Sequence, residues 1–238
     1  MGETMKKIIC SICAREGSKG VKKKNLKLLL GKPLIAYSVI AAKEANIFSH
    51  IAVSSDSDEI LQVAKEYGAD ILIKRPDHLA QDESPKMGVI KHCFLESEKT
   101  TGETFDYVVD LDATSPLRNS RDIIECVNLL IHSDCENVIT AMPARRSPYF
   151  NMVELDENGV AQLSKKFPKP IFRRQDCPKC YDMNASIYAW KRESLLNNES
   201  VFLKDTRLHV MPEERSYDID TPVDFKIVEL LMKEKSHE

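Results

Sequence analysis

The segment from Ala14 to Asn25, AREGSKGVKKKN, places two glycines, a serine and five cations directly after an apolar run. Glycines let backbone N–H groups approach phosphate oxygens, and Arg and Lys neutralise the charge that grows at a phosphate under attack. The segment has neither the GxxxxGKS/T pattern of a Walker loop nor the GxGxxG pattern of a dinucleotide site. Its composition fits two alternatives, a phosphate-binding loop and a lysine-rich surface turn.

Aspartate pairs of the form DxD are the candidate metal ligands, and the sequence holds three: Asp56 with Asp58, Asp110 with Asp112, and Asp218 with Asp220. Carboxylates two positions apart on an extended chain point to the same face, so a pair can offer oxygens to a hard cation such as magnesium. We predict that the first pair caps the helix from Glu59 to Tyr67. Composition alone favours a solvated turn for the third pair, with Thr221 as the next helix cap.

Alternating strand-like and helical patterns must position these groups. Strands are predicted for Lys7–Cys13, His50–Ser54, Asp70–Ile73, Phe105–Leu111, Asn137–Ala141 and Ala185–Trp190. Helices are predicted for Pro33–Glu44, Asp58–Tyr67, Lys86–Glu98, Asp122–Ile131 and Pro222–Lys233. This rhythm predicts an α/β fold with a doubly wound, mostly parallel sheet, in which ligands bind beyond the carboxyl ends of the strands. The loops at 14–25, 55–57 and 112–118 should meet there.

With 238 residues and 42% hydrophobic content, the chain is predicted to form one domain over residues 1–238. Between about residues 143 and 184 the pattern breaks into prolines, aromatics and basic residues. We interpret this segment as an insertion that covers the site or meets another subunit.

Charge and cysteine usage limit the possible partners and compartments. A net charge of −3 gives no reason to expect binding to nucleic acid or to an anionic membrane. The N-terminal region does not resemble a signal peptide, and no apolar run is long enough to cross a membrane, so a cytoplasmic location is expected. The seven cysteines, an odd number, fit reduced thiols. The Cys10/Cys13 pair is predicted to point to opposite faces of a strand, which argues against metal binding.

Five motifs in order, ICAREGSKGVKKKN, GKPLIAYSVIAA, VSSDSDEI, ATSPLR and YDIDTPVDF, closely resemble the acylneuraminate cytidylyltransferases, the CMP-sialic acid synthetases. The resemblance runs from Ile8 to Phe225. PARRSPYFNMVE and PKCYDMNASIY look most like the branch that activates legionaminic acid. The resemblance implies a Rossmann-like, nucleotide-diphospho-sugar transferase fold, an inserted dimerisation segment and a homodimer.

The resemblance also assigns roles in binding CTP and magnesium. Arg15 and Lys24 are expected to contact the triphosphate and to act in catalysis, and Asp218 and Asp220 to act there by holding Mg²⁺. The remaining nucleotide-binding positions implied by the family are Ala14, Ser18, Lys19 and Asn25 in the loop, and Arg75 and Ser84 near the base and ribose.

Sugar contacts are implied for Arg174, Gln175, Asn184 and Asp112. An Arg guanidinium can bind a planar carboxylate with two parallel hydrogen bonds, which suits Arg174 to the carboxylate of a sugar acid. Asp112 departs from the glutamine of the sialic acid enzymes, and Asp182 from an arginine. Two hypotheses follow for Asp112: it accepts hydrogen bonds from an altered sugar substituent, or it adds a magnesium ligand.

The implied reaction transfers CMP from CTP to the anomeric hydroxyl of a nine-carbon nonulosonic acid, legionaminic acid or a sialic acid relative, and releases pyrophosphate. Three alternatives stay open: an eight-carbon sugar acid as acceptor, another nucleotide as donor, and a protein that binds CTP or a sugar nucleotide without turnover.

Overall fold

The computed structural model describes residues 6–17, 20–168 and 172–235. Its strands are β1 (Ile8–Cys13), β2 (Leu28–Leu29), β3 (Lys32–Pro33), β4 (His50–Ser55), β5 (Ile71–Lys74), β6 (Tyr107–Leu111), β7 (Asn137–Pro143), β8 (Val153–Leu155), β9 (Ala161–Leu163), β10 (Tyr181–Lys191) and β11 (Thr206–Val210). Its α-helices are α1 (Leu34–Ala45), α2 (Asp58–Tyr67), α3 (Lys86–Thr101), α4 (Ser120–His132), α5 (Arg192–Asn197) and α6 (Pro222–Lys235).

Seven strands form one sheet in the order β11-β7-β10-β6-β1-β4-β5. The pairs β6–β1, β1–β4, β4–β5 and β7–β11 are parallel, and β10 runs antiparallel to both β6 and β7. The predicted α/β class with a mostly parallel sheet is confirmed. The edge strand β11 was not predicted, because its partly exposed sequence TRLHV lacks the long apolar run of the central strands.

Helices cover both faces of the sheet, and the alternating side chains of β1 show how. Cys10 packs with Ile35 of α1 and Ile60 of α2, whereas Ile9 packs with Phe94 of α3. Cys13 also lies on the α3 side, so the prediction that Cys10 and Cys13 point to opposite faces is confirmed. All seven cysteines are free thiols. Among the described helices, none is both long and apolar enough to span a membrane.

The predicted insertion contains the β8–β9 hairpin and a short 3₁₀ helix at Arg174–Asp176. Several of its apolar side chains are exposed, namely Val153, Leu155, Val160, Leu163 and Phe172. Such a surface is unusual on a lone subunit. Its function in covering the site or in dimerisation stays a prediction.

A buried ion pair connects α4 to the segment that precedes Asp218. Asp122, only 1% exposed, forms a capping box with Asn119 and accepts bidentate hydrogen bonds from Arg215 at 2.9 Å. The hydrogen bonds to Asp122 raise the pKa of Arg215, against the effect of burial. This pair fixes the start of the C-terminal segment relative to the sheet.

We expect Asp122→Ala to destabilise the protein by about 3 kcal/mol, because it removes both the bidentate hydrogen bonds to Arg215 and a helix cap. Chemical denaturation measures the change. The matched control is Arg121→Ala on the same helix, since Arg121 is exposed and, among the described residues, pairs only with Glu125. That control should stay within about 0.5 kcal/mol of wild type. If the two variants were equally stable, the Asp122–Arg215 pair would not contribute to the stability of the fold.

Candidate functional site

Polar loops follow the carboxyl ends of β1, β4, β5 and β6, which are neighbouring parallel strands, so these loops meet at one edge of the sheet. Ala14 continues β1 and donates its N–H to Ser54 O at 3.0 Å. Arg15 follows at the mouth of the crevice. The basic loop therefore leaves the sheet at its centre, as the sequence predicts.

Asp56 holds the basic loop instead of capping a helix. Its Oδ1 accepts from Glu16 N at 2.9 Å, and Asn25 Nδ2 donates to Arg15 O at 2.8 Å. Ser57 occupies the N-cap position of α2 without a side-chain capping hydrogen bond, and Asp58 pairs with Lys74 at 2.7 Å. The predicted capping role of Asp56 and Asp58 is wrong, because Asp56 accepts from the loop after β1 and Asp58 pairs with Lys74.

The basic loop contacts the C-terminal segment closely at Gly20. A Cβ placed on Gly20 would lie 1.9 Å from Asp220 O, so no side chain fits there. Lys24 Nζ donates to Ile219 O at 2.6 Å and pairs with Asp220 Oδ1 at 3.1 Å. Ile219 N in turn donates to Thr114 O at 2.9 Å. Three distant parts of the sequence thus form one site.

Asp218 and Asp220 lie directly before α6. Thr221 and Asp224 form a reciprocal cap, with Thr221 N donating to Asp224 Oδ2 at 2.6 Å and Asp224 N to Thr221 Oγ1 at 3.2 Å. The expected cap at Thr221 is confirmed. Asp220 is 73% exposed at its side chain and therefore presents its carboxylate to the crevice entrance.

The chemistry of this carboxylate pair suits a hard cation. Burial, and after it the charge of Asp220, raises the pKa of Asp218. A bound cation would relieve that repulsion, and carboxylate oxygens are ligands that Mg²⁺ prefers. Within the described residues no three His, Cys, Asp or Glu side chains cluster around one point. Two protein ligands supplemented by water and phosphate oxygens are the usual arrangement for Mg²⁺.

Two adjoining cavities occupy the crevice. One, of about 370 Å³, is lined by Arg15, Lys24, Asn25 and Asp220. The other, of about 200 Å³, is lined by Arg75, Ser84 and Lys86 among others. Arg15, Cys13 and Asp112 line both. The predicted phosphate-binding residues therefore lie beside the predicted base- and ribose-binding residues.

Both predicted base- and ribose-binding residues are fixed by neighbouring backbone. Arg75 is buried and donates to Ser54 O at 2.8 Å, and Ser84 Oγ donates to His78 O at 3.1 Å. Arg15 pairs with Asp82 across the smaller cavity. A nucleotide phosphate entering the site would compete with Asp82 for Arg15.

Lys86 is a site residue that sequence reasoning missed. Its Nζ lies 3.0 Å from Asp112 Oδ2, 3.7 Å from Asp110 Oδ2 and 4.3 Å from the centroid of the Tyr188 ring. Burial lowers the pKa of Lys86, but the charges of Asp112 and Asp110 outweigh it and hold that pKa above its ordinary value. A lone lysine at a helix start gives no sequence signal of this arrangement.

Asp112 is held by Lys86 on one side and by Thr114 on the other. Burial would raise its pKa, but the Lys86 charge and hydrogen bonds from Thr114 hold the pKa well below its ordinary value. Its Oδ1 accepts from Thr114 N at 3.0 Å and from Thr114 Oγ1 at 2.9 Å. An ammonium group 3.0 Å away disfavours a metal cation at Asp112.

The predicted sugar-binding residues do not all converge on the crevice. Arg174 and Gln175 line a separate cavity of about 440 Å³ in the insertion, where Arg174 Nη2 donates to Ala144 O at 2.6 Å. Asn184 is buried. Its Oδ1 accepts a hydrogen bond from Thr140 Oγ1 at 2.7 Å, and its Nδ2 donates one to Ser216 Oγ at 3.0 Å. Their sugar contacts stay predictions. Ser18 and Lys19 lie outside the described residues.

Residues 9–235 match the protein family described as Cytidylyltransferase. The chain belongs to this family. A CMP-N,N'-diacetyllegionaminic acid synthase of Campylobacter jejuni subsp. jejuni serotype O:2 is 49% identical over 98% of this chain and 97% of that protein. A Campylobacter coli protein called post-translational flagellin modification protein B is 47% identical over the same shares of the two chains.

Among solved structures, a CMP:2-keto-3-deoxy-manno-octonic acid synthetase complexed with CTP superposes with a TM-score of 0.71. The two chains share 19% identity, and the match covers 96% of this chain and 99% of the other. At this identity the likeness supports the cytidylyltransferase fold. The predicted fold and enzyme class are therefore confirmed.

Gly20→Ala tests whether the contact with Asp220 assembles the site. The added methyl group must push the basic loop away from Asp220, and we expect turnover to fall about 100-fold, as misplacement by about 1 Å can cause. Gly88→Ala is the matched control, because a Cβ there meets nothing within 4 Å and Gly88 lies in α3, outside the basic loop. Steady-state kinetics compare the turnover of the two variants with that of the wild type. Equal activities would show that the contact is dispensable.

Proposed function

We propose that the protein transfers CMP from CTP to the anomeric hydroxyl of a nine-carbon nonulosonic acid and releases pyrophosphate. The observation that carries this proposal is the junction of the basic loop with Asp220, through Gly20 and Lys24, beside a cavity of about 370 Å³. Such a junction places cationic and carboxylate groups around one cavity. The choice of CTP as the nucleotide and of a nonulosonic acid as the acceptor is inferred from the family and from relatives that match along their whole length.

In this proposal Arg15 and Lys24 bind the triphosphate and stabilise the charge that develops on it. Ala14, Ser18, Lys19 and Asn25 complete the phosphate-binding loop, and Arg75 and Ser84 hold the nucleoside. Asn25 Oδ1 is buried and has no hydrogen-bond partner among the described residues, so it can accept from a hydroxyl group of the nucleotide, since the phosphates have no donor to offer.

The anomeric hydroxyl oxygen of the sugar acid attacks the α-phosphorus of CTP in line. A new O–P bond forms as the bond between the α-phosphorus and the oxygen that bridges it to the β-phosphorus breaks. The hydroxyl proton passes to a base, and pyrophosphate leaves with the bridging oxygen and the electron pair of the broken bond. Catalysis depends on positioning and on charge stabilisation. Asp218 and Asp220 would hold Mg²⁺, which supplies Lewis-acid polarisation of phosphate oxygens when bound.

The preferred acceptor is a legionaminic-type acid, supported by the 49% identical relative. The residues proposed to bind the sugar are Arg174, Gln175 and Asn184, and Arg174 is proposed to bind its carboxylate. The cavity of Arg174 and Gln175 lies in the insertion, whose exposed apolar side chains support a homodimer. Free thiols throughout the chain support a cytoplasmic location.

Pyrophosphate release by the purified protein with Mg²⁺ tests the function. The panel combines CTP with N,N'-diacetyllegionaminic acid, sialic acid and an eight-carbon acid, and repeats the reaction with ATP, GTP and UTP. We expect release with CTP and a nine-carbon acid. Release with another nucleotide would overturn the base assignment, and CTP binding without release from any acid would favour a non-catalytic binding protein.

The magnesium assignment predicts that Asp220→Asn lowers turnover at least about 100-fold at low Mg²⁺, with partial recovery as Mg²⁺ rises. Asp58→Asn is the matched control, because Asp58 also belongs to a DxD pair and is exposed but contacts Lys74 instead of the basic loop. Titration of turnover against Mg²⁺ compares the two variants. An unchanged Mg²⁺ dependence in Asp220→Asn contradicts the assignment.

A further inference from the structure

The antiparallel strand β10 loses its regular register with β7 between Met183 and Tyr188. Within this break, Ala185 has a φ of 51°, in the left-handed region that residues other than glycine rarely adopt. Such a backbone is strained and persists only where the surrounding contacts enforce it. These contacts come from Asn184 and Ser186, and residues 184–186 are called the β10 break below.

The side chain of Asn184 is only 6% exposed and uses all of its hydrogen-bonding positions within the protein. Its Oδ1 accepts from Thr140 Oγ1 at 2.7 Å and from Ser186 N at 3.3 Å. Its Nδ2 donates to Ser216 Oγ at 3.0 Å and to Met211 Sδ at 3.5 Å. An asparagine side chain has two acceptor positions and two N–H donors, so none is left over. A polar contact between Asn184 and the sugar would therefore have to use its backbone.

On one side, the β10 break holds the loop after β6. Ser186 O accepts from Asp112 N and from Arg118 Nη1, both at 3.1 Å. The buried Arg118 also donates from Nη2 to Ser38 Oγ. Ser38 Oγ in turn donates to Asp112 O at 3.1 Å. The backbone of Asp112 is thus fixed at its N–H and at its C=O by contacts that begin at the break.

On the other side, the β10 break reaches the segment that carries the carboxylate pair. Ser216 is buried and lies two residues before Asp218. Its Oγ accepts from Asn184 Nδ2 and donates to Pro212 O at 2.7 Å. Burial raises the pKa of Asp218, and the negative charge of Asp112 raises it further, so the two carboxylates are close enough to interact.

We propose that Asn184 and Ser216 are positioning residues that set the carboxylates of Asp218 and Asp220 against the loop after β6. The hydrogen bond from Asn184 Nδ2 to Ser216 Oγ is the connection between the two parts. It keeps the carboxylates in place before a cation binds, so that binding requires less rearrangement. This inference rests on the proposed function and deepens it by naming residues that act on the metal-binding pair without touching metal or substrate.

Flanking contacts should keep the segment folded when this connection is removed. Arg215 pairs with Asp122 at 2.9 Å, and Ile219 N donates to Thr114 O at 2.9 Å. Both contacts remain in Ser216→Ala. We therefore expect this variant to displace the carboxylates without unfolding the segment.

Isothermal titration calorimetry with CTP, in the presence and absence of Mg²⁺, measures the gain in CTP affinity that the metal provides. This measurement needs no acceptor and no turnover. We expect Ser216→Ala to reduce the gain about 10-fold, at the lower end of the effect of contacts behind metal ligands. CTP affinity without Mg²⁺ should not change, because the basic loop keeps its contacts. In turnover assays, the variant should need about 10-fold more Mg²⁺ at an unchanged KM for the sugar acid.

Ser97→Ala is the matched control. Ser97 is likewise buried and donates its hydroxyl to a backbone carbonyl, Cys93 O, at 2.7 Å, but it lies in α3 away from the crevice. It should keep the wild-type gain. Melting temperatures identify variants that lose stability. Asn184→Asp, which keeps the size of the side chain but removes its two N–H donors, repeats the test if Ser216→Ala does not fold.

Three results would overturn the inference. The first is an unchanged gain in Ser216→Ala, which includes an equal loss of CTP affinity with and without Mg²⁺. The second is a raised KM for the sugar acid with the gain preserved, which would assign the two residues to the sugar. The third is a wild type whose CTP affinity does not respond to Mg²⁺.

The proposed function is judged separately. Pyrophosphate release by the wild type from CTP and any nonulosonic acid leaves it standing in each of these three cases. Absence of release with all the acids defeats the proposed function, while CTP binding still decides the inference.

Discussion

The backbone of Gly20 approaches the carbonyl of Asp220 so closely that a methyl group cannot be placed between them. The rest of the site depends on this approach. It brings Lys24 to Ile219 O and to Asp220, and it closes the larger cavity between the loop after β1 and the segment before α6. On the other side, the backbone of Ile219 is fixed by Thr114, and the Thr221–Asp224 cap begins the last helix.

Charge balance is the second constraint. Asp110 and Asp112 lie beside a crevice that must accept a highly anionic nucleotide, and Lys86 and Arg118 offset them. Burial raises the pKa of Asp110, while Lys86 opposes this effect. Burial likewise lowers the pKa of Arg118 to about 10. Two anions and two cations in one group leave the floor of the site close to neutral, while Arg15 pairs with Asp82 and Lys24 with Asp220 at its edge.

The order of the strands in the sheet separates the two sides of the site. A central β1 with parallel neighbours places the basic loop in the middle, with Arg75 after β5 on one side and Asp112 after β6 on the other. The antiparallel β10 ends the parallel run and contributes Tyr188, whose ring supports Lys86. The insertion before β10 contributes Arg174 and Gln175 to a separate cavity.

The sequence by itself determined the central parallel strands, the helices that cover them and the basic loop at the end of β1, because periodic burial and glycine-rich turns are local properties. It also determined the helix cap at Thr221. Only the tertiary structure decided that Asp56 holds the basic loop, that Lys86 meets Asp112, and that Arg174 and Gln175 line a cavity of their own. These contacts join residues far apart in the chain, and their partners are set by strand order and packing, which local spacing does not encode.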